Sequence, residues 1–240
     1  MTTRHNGQSH NQLLAALPAS ELPLLWTELK PVAFDQGSVL QDPGDRIQFV
    51  YFPTSGMISL LAMTSDGKAV ETAAVGREGA LGAHCGFGIF HVHTRAVVEI
   101  PGAGLRMPAG AFQKFVRESD RLRDLLIHYH EFQLAETQQS VACNALHAAE
   151  GRLARWLLHT ADIVGSDIVP LTQEFLSQVL GVRRTTVTTL ARNLLRTGAL
   201  GYGRGRIEIR DREQLKKFAC ECYEVLQRLS VQMLPRPPKK

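Results

Sequence analysis

Residues 171–210 constrain the fold more than any other part of this 240-residue chain. Thr172 is placed to cap a short helix, because a threonine hydroxyl accepts from the free N–H groups of a first turn. Leu176, Val179 and Leu180 give that helix one apolar face, and Gly181 stops it, since glycine takes the left-handed conformation a helix end needs. A second helix restarts at once, with Val187, Leu190, Ala191 and Leu194 on its buried side. Two short helices joined by a tight glycine turn form a helix-turn-helix. Behind it, residues 199–202 and 206–210 flank the glycine-rich tip Gly203-Arg204-Gly205, the pattern of a β-hairpin or wing.

The second helix indicates what the unit meets. Arg183 and Arg184 lie in its first turn, and Thr185, Thr186, Thr188, Thr189, Arg192 and Arg196 lie outside its apolar stripe. No acidic residue occurs between Arg183 and Arg206. Arginine pairs with phosphates or guanine edges, and threonine hydroxyls reach phosphates or bases. The candidate DNA-contacting set is therefore Arg183, Arg184, Thr185, Thr186, Thr188, Thr189 and Arg192, with Arg204 and Arg206 from the wing. Charge distribution agrees. The formal net charge of +4 hides an acidic front and a basic back, because residues 1–150 hold 11 Lys+Arg against 15 Asp+Glu. Such an asymmetry suits a sensing or assembly domain joined to a polyanion-binding one.

Residues 31–107 change the pattern. Short alternating apolar runs are separated by turn residues such as Asp42-Pro43-Gly44 and Asp66-Gly67, which indicates a β-sandwich or barrel. Residues 13–29 read as one or two short helices broken by Pro18 and Pro23. Helical periodicity resumes at residue 111. Leu122, Leu125, Leu126, Tyr129 and Phe132 then form a stripe with spacing near three and four, which reads in part as a coiled-coil seam. Residues 148–161 give a further helix with Arg152 and Arg155 turned outward, and residues 214–229 a last one. The expected division is a disordered tail over 1–12, a β domain over 13–120, a dimerisation helix over 121–146, a DNA-binding domain over 147–230 and a flexible tail over 231–240.

Residues 171–205 resemble the winged helix-turn-helix of the cyclic AMP receptor/Fnr (Crp/Fnr) family of bacterial transcription regulators. That family's recognition helix often carries Arg-Glu-Thr-Val-x-Arg; here the matching run is Arg184-Thr185-Thr186-Val187-Thr188-Thr189. Thr185 and Thr189 replace two base-reading residues, so the usual operator is not implied. The resemblance implies an α+β fold: a cyclic-nucleotide-binding-like double-stranded β-roll, a long dimerisation helix and a winged helix-turn-helix. It implies a cytoplasmic homodimer on palindromic double-stranded DNA, with RNA polymerase as a further partner and no membrane. For an effector it points to Glu78, Gly79 and Arg95. Glu78 and Arg95 are seventeen residues apart where the family pattern has about ten, so the cassette is divergent; a cyclic nucleotide stays a candidate effector there, and no cofactor is expected to be required.

No cysteine precedes Cys85, so the family's N-terminal iron–sulfur cluster is not implied. Cys85, Cys143, Cys220 and Cys222 lack zinc-finger spacing. Cys220-x-Cys222 falls on an expected helix, where positions i and i+2 do not share a face, so it reads as structural and no metal site is assigned. The alternative class is a cupin-like metal-dependent enzyme or metal sensor built on His91-x-His93 and Glu99. The spacing of Glu99 and of the glycine after it does not fit that pattern, and neither a catalytic triad nor a phosphate loop accompanies it.

Overall fold

Alternating apolar residues along the first half of the chain produce seven strands: β1 Lys30–Phe34, β2 Val39–Gln41, β3 Phe49–Pro53, β4 Met57–Met63, β5 Ala69–Val75, β6 Arg95–Ile100 and β7 Gly102–Pro108. The computed structural model describes residues 10–171, 173–203 and 205–235. The helix cap expected of Thr172 and the wing contact expected of Arg204 lie outside those residues. The strands form two antiparallel sheets, in the orders β1-β7-β3 and β2-β6-β4-β5. Phe34, Tyr51, Ile58, Val75, Ala96 and Val98 from both sheets meet in one core. The β3–β4 turn needs Gly56: its φ is 79°, and a Cβ there would lie 2.5 Å from the Ile100 carbonyl oxygen.

Helices cover the outer side of β3 and β7. They are α1 Gln12–Ala15, α2 Leu22–Glu28, α3 Ala109–Glu118 and the long α4 Asp120–Leu146. Their apolar residues, among them Leu13, Leu14, Phe112, Leu122 and Leu126, pack with Val50, Phe52 and Met107. Residues 10–12 are not part of a disordered tail. The buried Asn11 donates from Nδ2 to the carbonyls of Pro53 (2.9 Å) and Gly79 (2.8 Å), and its Oδ1 accepts from the Leu14 N–H. Pro23 does not break a helix. It sits in the first turn of α2, where a missing N–H is tolerated.

The C-terminal part contains α5 Ala149–Val164, β8 Ile168–Pro170, α6 Gln173–Leu180, α7 Arg184–Arg196, β9 Leu200–Gly203, β10 Arg206–Ile209, α8 Arg212–Phe218 and α9 Cys222–Met233. The single last helix expected over 214–229 is two helices, because Ala219 takes an extended conformation between them. Residues 231–233 belong to α9 rather than to a tail. Leu153, Trp156, Leu157, Val179, Val187, Leu194 and Ile207 share one core with Met57, Ala74 and Ile100 of the β domain. Among the described residues no helix is long and apolar enough to cross a membrane.

Candidate nucleic-acid interface

Helix α6 ends at Gly181, whose φ of 61° turns the chain directly into α7. Val187 and Leu194 are fully buried, and Ala191 joins them on the same side. That apolar stripe fixes which face of α7 looks outward. Thr185, Thr189, Arg192 and Arg196 recur at i, i+4, i+7 and i+11 and are exposed, as are Arg183, Arg184 and Thr186, while Thr188 is half-buried. The hydroxyls of Thr188 and Thr189 donate to the carbonyls of Arg184 and Thr185 at 3.1 Å. Those bonds hold the rotamers, and the Thr189 oxygen is left with acceptor capacity toward a base amino group. Arg183 stands at the N-cap without a side-chain capping bond. The positive end of the α7 dipole and its first free N–H groups thus add to the arginines in favouring a phosphate. One exposed acid comes near: Glu174 lies 4.0 Å from Arg184, with both side chains about two-thirds exposed, a weak pairing in water.

The wing is a three-stranded sheet in the order β8-β10-β9. Arg206 is exposed at the start of β10, paired in register with Gly203 and Pro170. Tyr202, 49% exposed on β9, is a further wing residue that the sequence reading passed over. Strand β8 was also missed, because three residues are too short for a periodic signal.

The residues expected to form a dimer seam face inward. Leu122, Leu125, Leu126, Tyr129 and Phe132 are all at most 5% exposed, and four of the five belong to the core of the β domain. Besides Leu146 at its C-terminal end, the large apolar side chains that α4 leaves in solvent are Ile127, Leu134 and Val141. These three recur at spacing seven, the period of a coiled-coil contact. The sequence carried this stripe too, but the larger and denser inward stripe concealed it. Arg152 and Arg155 are likewise buried, not outward; Arg152 donates to Asn144 at 2.8 Å.

Glu78, Gly79 and Arg95 do not converge. Arg95 forms a bidentate pair with Asp42 at 2.7 and 3.0 Å. Gly79 has no room for another group, since a Cβ there would meet the Tyr129 ring at 2.3 Å. Glu78 is buried, and its Oε1 accepts the Gly76 N–H at 2.7 Å. Burial raises its carboxyl from 4.5 to about 7. It lines a cavity of about 350 Å3 between the two domains, together with Arg77, Glu136, His159, Asp162 and Gln227. Glu136 Oε1 pairs there with His159 Nε2 at 2.8 Å. Desolvation alone lowers the His159 pKa, but the hydrogen bond and charge of Glu136 outweigh it and the net shift is upward.

His91 and His93 are exposed and lie outside the named strands. Glu99 is buried on β6, and desolvation pushes it up to about 8. Among the described residues, the donors that approach one another as metal ligands do are elsewhere, in Cys143, His147, Cys220 and Cys222. Cys220 lies in the link before α9 and Cys222 is the first residue of α9, so the rule for i and i+2 within a helix does not govern them.

Residues 151–218 match the family model of the Crp-like helix-turn-helix domain. The chain as a whole shares its fold with solved structures. FixK2 from Bradyrhizobium japonicum is 16% identical over 80% of this chain and 98% of its own, with a TM-score of 0.68. The c-di-GMP-responsive global regulator CLP of Xanthomonas campestris is 14% identical over 80% and 99%, with a TM-score of 0.63. TTHA1359, a transcriptional regulator of the CRP/FNR family from Thermus thermophilus, is 24% identical over 79% and 98%, with a TM-score of 0.59. No curated protein matches.

Proposed function

We propose that this chain, a Crp/Fnr-type regulator by fold and by its Crp-like helix-turn-helix domain, acts as a homodimer that reads a palindromic DNA operator through α7. The observation that carries this reading is the exposed stripe Thr185, Thr189, Arg192 and Arg196, backed by buried Val187, Ala191 and Leu194. A stripe of that composition fits a major groove, where arginine reads guanine and threonine reads amino groups or methyls. Two copies joined through Ile127, Leu134 and Val141 would present two α7 helices, as recognition of half-sites about 34 Å apart requires.

Selection of bound duplexes from a random pool tests the proposal. A palindromic motif is expected, and its half-site identifies what Arg184, Thr185 and Thr189 contact. Arg192→Ala should then weaken binding to the selected site by about 1–3 kcal/mol and relax one base position. Enrichment of no motif, with only salt-sensitive bulk binding, would refute sequence-specific recognition by the protein without an added ligand.

Effector control is assigned to the cavity between the domains rather than to Arg95. Its walls come from both the β domain and α5, α4 and α9, so a ligand there binds differently to different domain placements. Thermal shift with cyclic mononucleotides and cyclic dinucleotides tests this assignment. A shift abolished by Glu78→Gln is expected, and a shift abolished only by Arg95→Ala contradicts it.

A further inference from the structure

We propose that Cys143, His147, Cys220 and Cys222 bind a single zinc(II)-class cation that joins the end of α4 to the α8–α9 link. The donor atoms of all four lie within 4.8 Å of one another. Cys143 Sγ and Cys220 Sγ are 3.5 Å apart, and Cys222 Sγ is 3.4 Å from His147 Nδ1. A tetrahedral zinc with Zn–S near 2.3 Å spaces its sulfurs by about 3.8 Å and its sulfur–nitrogen pairs slightly less. The four donors therefore stand close to the corners of such a tetrahedron. Donors this close leave no space for the inorganic sulfides of an iron–sulfur cluster, so the site suits one ion. Three sulfurs and one imidazole select zinc over magnesium or calcium, which prefer oxygen.

The local structure explains how separate elements make the site. Gln139 and Cys143 are spaced four apart on one face of the last turns of α4, and His147 is its extended C-cap, held there by its N–H donating to the Cys143 carbonyl at 3.1 Å. Cys143 and Cys222 are fully buried, while Cys220 and His147 are half-buried. The surrounding groups match what a bound metal requires. His147 directs Nδ1 at Cys222 and Nε2 at Glu221 Oε1, 3.1 Å away. A carboxylate on the remote ring nitrogen fixes the tautomer that leaves Nδ1 free to ligate. Gln139 Nε2 donates to Cys222 Sγ at 3.0 Å, a bond that stabilises sulfur as the thiolate. The buried Arg155 guanidinium acts electrostatically on Cys143, which offsets the single negative charge left by three thiolates on a dication.

Full-length protein purified without chelator should carry equimolar zinc by mass spectrometry. Cobalt(II) added to the reduced, metal-free chain should give sulfur-to-cobalt charge transfer and the strong visible bands of tetrahedral coordination. Cys222→Ser should diminish the charge transfer, and Cys85→Ser, at a buried site on the β domain, should leave it unchanged. His147→Cys should retain tetrahedral cobalt with shifted bands, a readout that survives if Cys222→Ser misfolds. Glu221→Gln should weaken cobalt binding by about 10–100-fold while keeping the spectrum. The proposal is overturned by a chain that takes up neither metal, by cobalt bands without thiolate character, or by a Cys143–Cys220 disulfide in protein purified without oxygen. None of these readouts involves DNA, so their failure is separate from failure of the regulator reading.

Discussion

The two halves of α4 are held in place by different chemistry. From Leu122 to Tyr129 the helix is anchored by apolar side chains sunk into the β domain. From Glu136 to His147 it is anchored by polar groups that reach the DNA-binding domain: Glu136 to His159 of α5, Gln139 to Cys222, and Cys143 to Cys220. Apolar burial is non-directional and indifferent to pH and metals. The second set is directional and responds to protonation and, under the metal proposal, to zinc. One helix thus joins a permanently fixed contact to an adjustable one, and the adjustable contact is the one that carries α7.

The sharpest way to break this comparison is to damage the front half. Leu126 is fully buried, and Leu126→Ala should destabilise the chain by about 2–5 kcal/mol through lost transfer energy and a cavity. Denaturant titrations should show a similar loss at pH 6 and pH 8. A loss that depends on pH would mean that the front half shares the titratable character of the back.

The back half should show the opposite behaviour. Glu78 sits at about 7 in the folded chain against an ordinary value of 4.5. Between those values the folded chain holds a proton that the unfolded chain has released, so stability falls as pH rises from about 4.5 to about 7. His159, net raised through Glu136, works in the same direction. Its contribution is complete below the unfolded value near 6.5 and is lost as pH rises through the higher folded value. Glu71, desolvated beneath Trp156 while accepting from Ser59 and Trp156, adds to this slope. Glu78→Gln should remove up to about 3 kcal/mol of the decline between pH 5 and pH 8. An unchanged slope in that variant would assign the decline to the remaining pairs.

The DNA-binding end was legible because its signals are local. Gly181 stops one helix, Val187, Ala191 and Leu194 set the face of the next, and neither inference needs a distant residue. The β domain was legible as a class for the same reason. The cysteine cluster was not legible, because its halves are far apart in sequence and meet only when α9 packs on α4. No spacing rule connects Cys143-x3-His147 to Cys220-x-Cys222 in advance of that packing. The outward stripe of α4 was passed over for another reason. Periodicity identifies stripes on a helix but not which stripe the same chain covers, and α4 carries two. Arg152 and Arg155 were misplaced because charged residues are rarely buried, and here the polar back half of α4 accommodates them.

The smallest expected change in stability separates the two stripes directly. Leu134 is 51% exposed, so Leu134→Lys should alter monomer stability by only about 0.5 kcal/mol or less. If Ile127, Leu134 and Val141 form the contact between copies, the same change places two like charges across the heptad seam, and sedimentation should report a monomer. Leu125→Lys, on the buried stripe, should instead unfold the β domain, since it puts an unpaired charge in an apolar core. A folded dimer of Leu134→Lys would exclude this face of α4, whereas a folded monomer of Leu125→Lys would restore the inward stripe as the dimer seam and contradict the burial of Leu125 in the core of the β domain.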